Sequence, residues 1–483
     1  MARTAGKAAS TSAFAGRKRA ESSFVAAEKT HMEMTRQPGS GIWWLHPAFA
    51  FTAAGVGISI CAWQIPEATY RIYWRTPKFF DPYTLQVTLA CVAVFGLGSW
   101  LGGRLAERRP GAGAWRGDDG AGHDLLWLLF RLSFWLCLTG YSLWTFLAIR
   151  RGITLDLVAE MVTGTKGAMY EARYTYLPTV GGVTTLTQFG TAAMVLGAIL
   201  GCRFGWRAVW PRCAVIGSAA VLRALLNSER FALFELIIPF LLAWLAMRYL
   251  GATGIRAPVR WLVRSAPVTG LAALLLIFTG FEYFRSWSNY YAERQDSLWE
   301  FGAMRLLGYY VTSFNNGAYL LQRLEPLHAP YFTLHFLWGL PLTGTATKHL
   351  FANPLLDTAD KWFYFPFLES GANVEFNNAD GMLFPLMDFG VAGGLIYWLI
   401  AGLVCGTVYR LFCEREMAGL LLYPVLYLGL LEVPLALYWA EGRAFPSLFL
   451  LAGTPALLGL LGRQPLWRTL VPAGLKRAPR LLT

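Results

Sequence analysis

The chain has 483 residues, 55% of them hydrophobic and 15% charged, more apolar material than one soluble core of that length takes up. Its net charge of +13 is spread over short segments between apolar spans instead of along one polar face, which excludes a nucleic-acid-binding surface and reads as membrane topology. The seven cysteines, Cys61, Cys91, Cys137, Cys202, Cys213, Cys405 and Cys413, fall in or beside those spans, so neither a disulfide framework nor a zinc site is expected.

Residues 1–40 are rich in Ala, Ser, Thr, Lys and Arg and hold no apolar run that could serve as the core of a signal peptide, which predicts a disordered basic cytosolic tail. Apolar runs then recur, each about 20 residues long and able to cross roughly 30 Å of hydrocarbon as a helix. They predict an all-α polytopic membrane protein with about ten transmembrane helices, at 42–65, 83–103, 124–149, 183–202, 208–226, 230–250, 261–281, 386–412, 417–437 and 444–462. Helices one to seven thus fill 41–281 with an outer loop at 150–182, and a large loop at 282–385 separates them from helices eight to ten at 386–462. A second basic tail, 463–483, ends the chain.

Arginines fall in alternate loops: Arg104, Arg108, Arg109 and Arg116, then Arg203 and Arg207, then Arg248, Arg256, Arg260 and Arg264, then Arg410 and Arg415. The positive-inside rule puts these loops and both termini in the cytosol, and 150–182 and 282–385 outside. A structureless loop as long as 282–385 is improbable unless it folds and has a task, so chemistry is expected there. Within it, the aromatic run 331–340 is too short to span and is expected at headgroup level.

Candidate site residues follow from charge in costly places. Arg173 lies in the 150–182 loop, just before Thr184, Thr185, Thr187 and Gln188 enter a span. These groups bind sugar hydroxyls and pyrophosphate oxygens, or satisfy one another across helices. Arg223 sits near the outer end of a span, where an ionisable group is a functional candidate. Arg230 ends the tight turn Asn227-Ser228-Glu229-Arg230, with Ser228 a predicted N-cap. A cation at a helix N-terminus suits a phosphate, which arginine grips bidentately, although an interfacial arginine also simply snorkels. Glu235 is a possible ion-pair partner for Arg223 or Arg230. From Glu282 the chain continues through Arg285, Arg305, Tyr309, Asn315 and Asn316. Aromatic faces cover the apolar side of sugars, Asn and Ser meet hydroxyls and Arg meets phosphate, but a loop packed on a membrane surface is aromatic too.

The chain has no P-loop, no dinucleotide-binding glycine pattern, no HExxH and no GxSxG with triad partners. The first outer loop holds Glu67 and Asp81 but no adjacent acidic pair, so no metal and no cofactor is expected.

Three stretches are similar to the O-antigen polymerase, or oligosaccharide repeat-unit polymerase, family of bacterial envelopes. They are Leu226-Asn227-Ser228-Glu229-Arg230-Phe231-Ala232-Leu233, the run RLLGYYVTSFNNG at 305–317, and Phe376-Asn377-Asn378 through Asp388-Phe389-Gly390 to Gly394. The resemblance spans roughly 150–410. It implies a GT-C-like architecture in the bacterial inner membrane and glycosyl transfer at its outer face. A growing glycan leaves its polyprenyl-pyrophosphate carrier for a sugar hydroxyl on a new lipid-linked oligosaccharide repeat unit. It further implies that Arg230, Arg223, Arg173, Arg285 and Arg305 face the leaving pyrophosphate, that Asn377 belongs to the substrate site, and that Glu282 or Asp388 activates the hydroxyl. A flippase and a chain-length regulator are the implied protein partners. The O-antigen ligase shares this architecture, and a transporter or flippase is the reading from a different class.

Overall fold

A computed structural model describes residues 42–107, 120–163, 165, 168–177, 180–227, 230–250, 257–293, 297–351 and 364–461. Both expected tails, Ser228, Glu229, Arg108, Arg109, Arg116 and Arg256 lie outside the described residues. Among them the only regular secondary structure is helix, without strands. The principal helices are α1 (Pro47–Gln64), α2 (Glu67–Tyr73), α3 (Pro82–Glu107), α4 (Gly120–Arg150), α5 (Leu155–Thr163), α6 (Val183–Phe204), α7 (Trp210–Asn227) and α8 (Phe231–Tyr249). They continue as α9 (Ala257–Glu282), α10 (Leu298–Arg323), α11 (Pro341–Phe351), α12 (Phe365–Gly371), α13 (Phe384–Cys413), α14 (Met417–Glu432) and α15 (Phe445–Leu461).

Seven of these, α1, α3, α4, α6, α8, α9 and α13, are long and apolar enough to cross a membrane, which makes the chain a multi-pass membrane protein. Their outward faces carry exposed Leu97, Trp100, Trp135 and Ile400, positions that water would penalise and lipid tails accept. The other three expected spans correspond to α7, α14 and α15, of 18, 16 and 17 residues. At 1.5 Å per residue α14 and α15 reach about 24–26 Å, short of the roughly 30 Å hydrocarbon core, while α7, as long as α1, is less apolar and carries Arg212 and Arg223.

The tightest helix contact is α3 against α13, running parallel. Gly98 and Gly102 meet the backbone of Leu399 and Leu403, while Gly402 and Gly406 meet that of Phe95 and Ser99, so closely that a methyl group at any of the four would strike main-chain atoms. Lipid gives helices no hydrophobic reason to associate, and small residues four apart on both partners supply close van der Waals approach instead. A break at Gly390, with φ 71° and ψ 176°, splits the first turns of α13 from the rest, a left-handed conformation that glycine adopts without a Cβ penalty.

The described parts of the 282–385 segment fold against the bundle. Ser297 caps α10 by accepting the Glu300 N–H at 3.3 Å, and α10 buries a continuous stretch from Val311 to Leu320 against α1 and its surroundings. The aromatic run 331–340 begins inside the protein: Tyr331 and Phe332 are buried, with the Phe332 ring stacked on Phe384 at 4.4 Å. It packs its first rings into protein because Asp388 draws the 332–333 backbone inward, as described below.

Helix α9 stands apart. Only 11% of its most apolar 18-residue window is buried. It packs on α10 and on the π-helical segment Tyr283–Tyr291 that continues it, with Trp44 Nε1 donating to Val263 O at 2.7 Å near its other end. Its neighbour in sequence, α8, faces it across a groove.

Candidate functional site

That groove is the apolar arm of a cavity of about 1720 Å³. Phe234, Ile237 and Leu241 of α8 line one wall and Leu271, Leu274 and Ile277 of α9 the other. At its polar end the cavity meets Arg75, Arg173, Arg230, Arg305 and Arg443, with Asn377 and Asn378 beside them. One compartment therefore joins a hydrocarbon-compatible slot to a cluster of guanidinium groups.

Two of these arginines share one buried carboxylate. Glu282, the last residue of α9, has no exposed surface. Its Oε1 lies 2.5 Å from Arg230 Nη2 and its Oε2 lies 2.8 Å from Arg305 Nε. Arg230 directly precedes α8 and Arg305 is in the second turn of α10, so three helix ends converge on one bracket. Arg305 also reaches Glu375 Oε2 at 3.4 Å. Aromatic faces cover the guanidiniums: Phe278 lies 4.0 Å from Arg230, and Phe376 5.4 Å from Arg305. Cation–π contact of this kind holds a guanidinium flat while leaving its edge for carboxylate or phosphate. Burial by itself would lower the Arg305 pKa, but the charge of Glu282, with Tyr309, Glu375 and Tyr291, raises it beyond the usual arginine value, so Arg305 stays cationic.

A second cluster lies across the same cavity. Arg443 Nε is 2.9 Å from Glu235 Oε1 and its guanidinium lies 4.7 Å from the Phe231 ring. Glu441 and Glu432 line the cavity nearby, and Glu441 Oε2 sits 3.7 Å from His335 Nδ1.

Of the residues expected from sequence, Arg173, Arg230, Arg305, Tyr309 and Asn377 line the cavity. Arg173 lies in a π-helical turn, Ala172–Tyr176, and Arg285 in the other π-helical segment; such turns are rare and frequent at functional sites. The Arg285 side chain is outside the described set. Tyr309 sets its ring 5.9 Å from the Arg230 guanidinium.

The remaining expected residues do other work. Glu282 does not present a free carboxylate to a hydroxyl: both oxygens are engaged, and its role is to hold two arginines in register. Asp388 does not line the cavity. It is fully buried and accepts from Phe332 N at 3.0 Å, Thr333 N at 2.8 Å and Thr333 Oγ1 at 2.8 Å, which makes it the anchor of the 331–335 turn. Arg223 is buried within the bundle, where it donates to Thr187 Oγ1 at 2.9 Å, so one member of the polar run entering α6 is its partner.

Asn315 and Asn316 are braces. Asn315 Oδ1 accepts from Phe79 N and Phe80 N at 2.6 and 3.1 Å and its Nδ2 donates to Pro77 O at 2.8 Å, fixing the turn that follows Arg75. Asn316 Nδ2 donates to Phe376 O and Asn378 O at 2.6 and 2.8 Å, setting the loop that brings Asn377 to the cavity.

Sequence reasoning missed Arg75, Glu375, Glu432, Glu441 and Arg443. A signal existed for the last two, since Glu441-Gly442-Arg443 places opposite charges in a short turn between apolar helices. Arg75 is held at φ 52°, a left-handed backbone that sequence does not announce in arginine. Among the described residues no group of three or more His, Cys, Asp or Glu side chains is placed to hold a metal ion. No family model matches this chain, and neither the curated proteins nor the solved structures compared with it gave a match.

Proposed function

We propose that this protein is a membrane glycosyltransferase that polymerises polyprenyl-pyrophosphate-linked oligosaccharide repeat units at the outer face of a bacterial inner membrane. The observation that carries the reading is the two-part cavity, in which an apolar groove between α8 and α9 leads to the Arg230–Glu282–Arg305 bracket. A polyprenyl chain fits the chemistry of the groove, a pyrophosphate that of the guanidiniums, and sugars that of Tyr309, Asn377 and Asn378. On this reading α7, α14 and α15 also cross the bilayer, giving ten spans with both termini in the cytosol, and the polar end of the cavity opens outside.

In the reaction, an acceptor hydroxyl attacks the anomeric carbon of the growing chain and the bond to the pyrophosphate oxygen breaks. Negative charge develops on the departing pyrophosphate, where Arg230 and Arg305 stabilise it. Preorganisation comes from Glu282, which fixes both cations before substrate arrives. A flippase supplying repeat units and a chain-length regulator are partners on this reading.

The test is glycan chain length by gel in a deletion strain complemented with wild type or Arg230→Ala, with membrane expression of each verified. The reading expects a polymer ladder with wild type and single repeat units with the variant. An unchanged ladder in the deletion strain itself contradicts it, and full-length polymer stranded on its carrier would make the protein the ligase.

A further inference from the structure

Three acidic residues surround or line the cavity with their charge already matched, Glu282 by two arginines, Glu375 by Arg305 and Glu235 by Arg443, and a fourth, Glu441, has His335 Nδ1 3.7 Å away. Glu432 differs. It ends α14, is half-buried and lines the cavity, and among the described residues its carboxylate makes no hydrogen bond and no ion pair within 4.0 Å. Its backbone is nonetheless fixed, because its carbonyl accepts from Leu435 N at 2.8 Å and Ala436 N at 2.9 Å.

The charged and titratable groups facing Glu432 come from three directions: Glu235 on α8, Arg443 and Tyr438 between α14 and α15, and Tyr310 on α10. Arg443 pairs with Glu235 at 2.9 Å, so among the described residues no donor is hydrogen-bonded to the Glu432 carboxylate. Tyr310 adjoins Tyr309, the ring beside Arg230, so α10 connects Glu432 to the arginine bracket. A carboxylate carried on a fixed backbone and lining the same cavity as fixed cations is an arrangement that proton abstraction can use.

We infer that Glu432 is the general base that takes the proton from the acceptor sugar hydroxyl; the inference rests on the glycosyl transfer proposed above. As the hydroxyl oxygen bonds to the anomeric carbon, its proton passes to the Glu432 carboxylate. The electron pair of the breaking C–O bond leaves with the pyrophosphate, and Glu432 returns its proton to water before the next cycle. Glu432 supplies the proton-accepting group that Glu282 and Asp388 do not.

The test uses full-length protein in lipid nanodiscs with lipid-linked repeat units extracted from the deletion strain. Binding of undecaprenyl pyrophosphate is measured separately by tryptophan fluorescence. Glu432→Gln is expected to bind undecaprenyl pyrophosphate as wild type does while its polymerisation rate falls about 10²–10⁴-fold. Glu432→Asp should retain part of the rate, and the acid-side fall of the wild-type pH profile should be missing from the residual Gln activity. A Gln variant with wild-type rate and profile overturns the inference, as does one that loses binding together with rate. A wild-type protein that binds undecaprenyl pyrophosphate but forms no polymer overturns the underlying reaction instead, without any variant being needed.

Discussion

Replacing Glu282 by glutamine removes the one negative charge that two buried guanidiniums share. Its oxygens lie 2.5 Å from Arg230 and 2.8 Å from Arg305, and the side-chain exposures of the two arginines are 11% and 7%, so solvent screens little of the interaction. Unit charges 4 Å apart at an effective permittivity of about 20 attract by roughly 4 kcal/mol, and burying each ion returns several kcal/mol of that. Glutamine keeps the desolvation of both cations, cancels the attraction and leaves them repelling each other. Breaking a buried pair in this way costs about 3–5 kcal/mol.

Equilibrium unfolding in bicelles with added denaturing detergent, followed by tryptophan fluorescence, compares wild type, Glu282→Gln, Arg305→Met and the double variant. The double variant should be more stable than the sum of the single losses predicts, by more than about 1 kcal/mol, because each single change leaves a partner behind. A Glu282→Gln protein within about 0.5 kcal/mol of wild type, the range of an inconsequential surface change, would refute the bracket as the organising element of the site.

Asp388→Asn should lower stability by about 1–3 kcal/mol, since it weakens buried acceptors of the 331–335 turn, yet leave activity per folded molecule unchanged; a well-folded but inactive variant would return Asp388 to the chemistry. Gly406→Val should prevent α3 and α13 from approaching and abolish accumulation of folded protein, read by size-exclusion chromatography in detergent, and a monodisperse variant would contradict the packing. Asp380 is fully buried at φ 40°, with Oδ1 accepting from Met382 N at 3.0 Å, and burial pushes its carboxyl well above the usual range. The folded state therefore holds a proton that the unfolded state releases above about pH 3.9, so stability falls as pH rises from there toward the folded pKa. Asp380→Asn should remove that slope in melting midpoint against pH and raise the midpoint at neutral pH; a lower midpoint at every pH would refute the protonated assignment.

The helices of the bundle were legible because apolar runs of spanning length need no tertiary information, and all seven long spans fall where the runs predict. Arg230 was legible for a related reason, because charge beside a span is costly and stands out, whereas Arg173 and Arg305 were picked out by their place in the outer loops among aromatic and polar residues. What each polar residue does was not legible. Asn315, Asn316 and Asp388 have the chemistry of a sugar site, and only the fold reveals that their hydrogen bonds go to the backbone at 77–80, 376–378 and 332–333. Glu282 resembles a base in sequence because its two partners lie 52 residues before it and 23 after. The glycine pairs at 98 and 102 and at 402 and 406 were a readable signal for α3–α13 contact, whereas the standing-apart of α9 depends on where its neighbours go.

The most direct test is reconstitution of the purified protein in nanodiscs with radiolabelled lipid-linked repeat units, counting released polyprenyl pyrophosphate against glycosidic bonds formed. The account predicts a ladder of products with one polyprenyl pyrophosphate freed per bond, and neither product from Arg230→Ala. Release without bond formation, or no turnover by a folded wild-type protein that binds the repeat units, would contradict it.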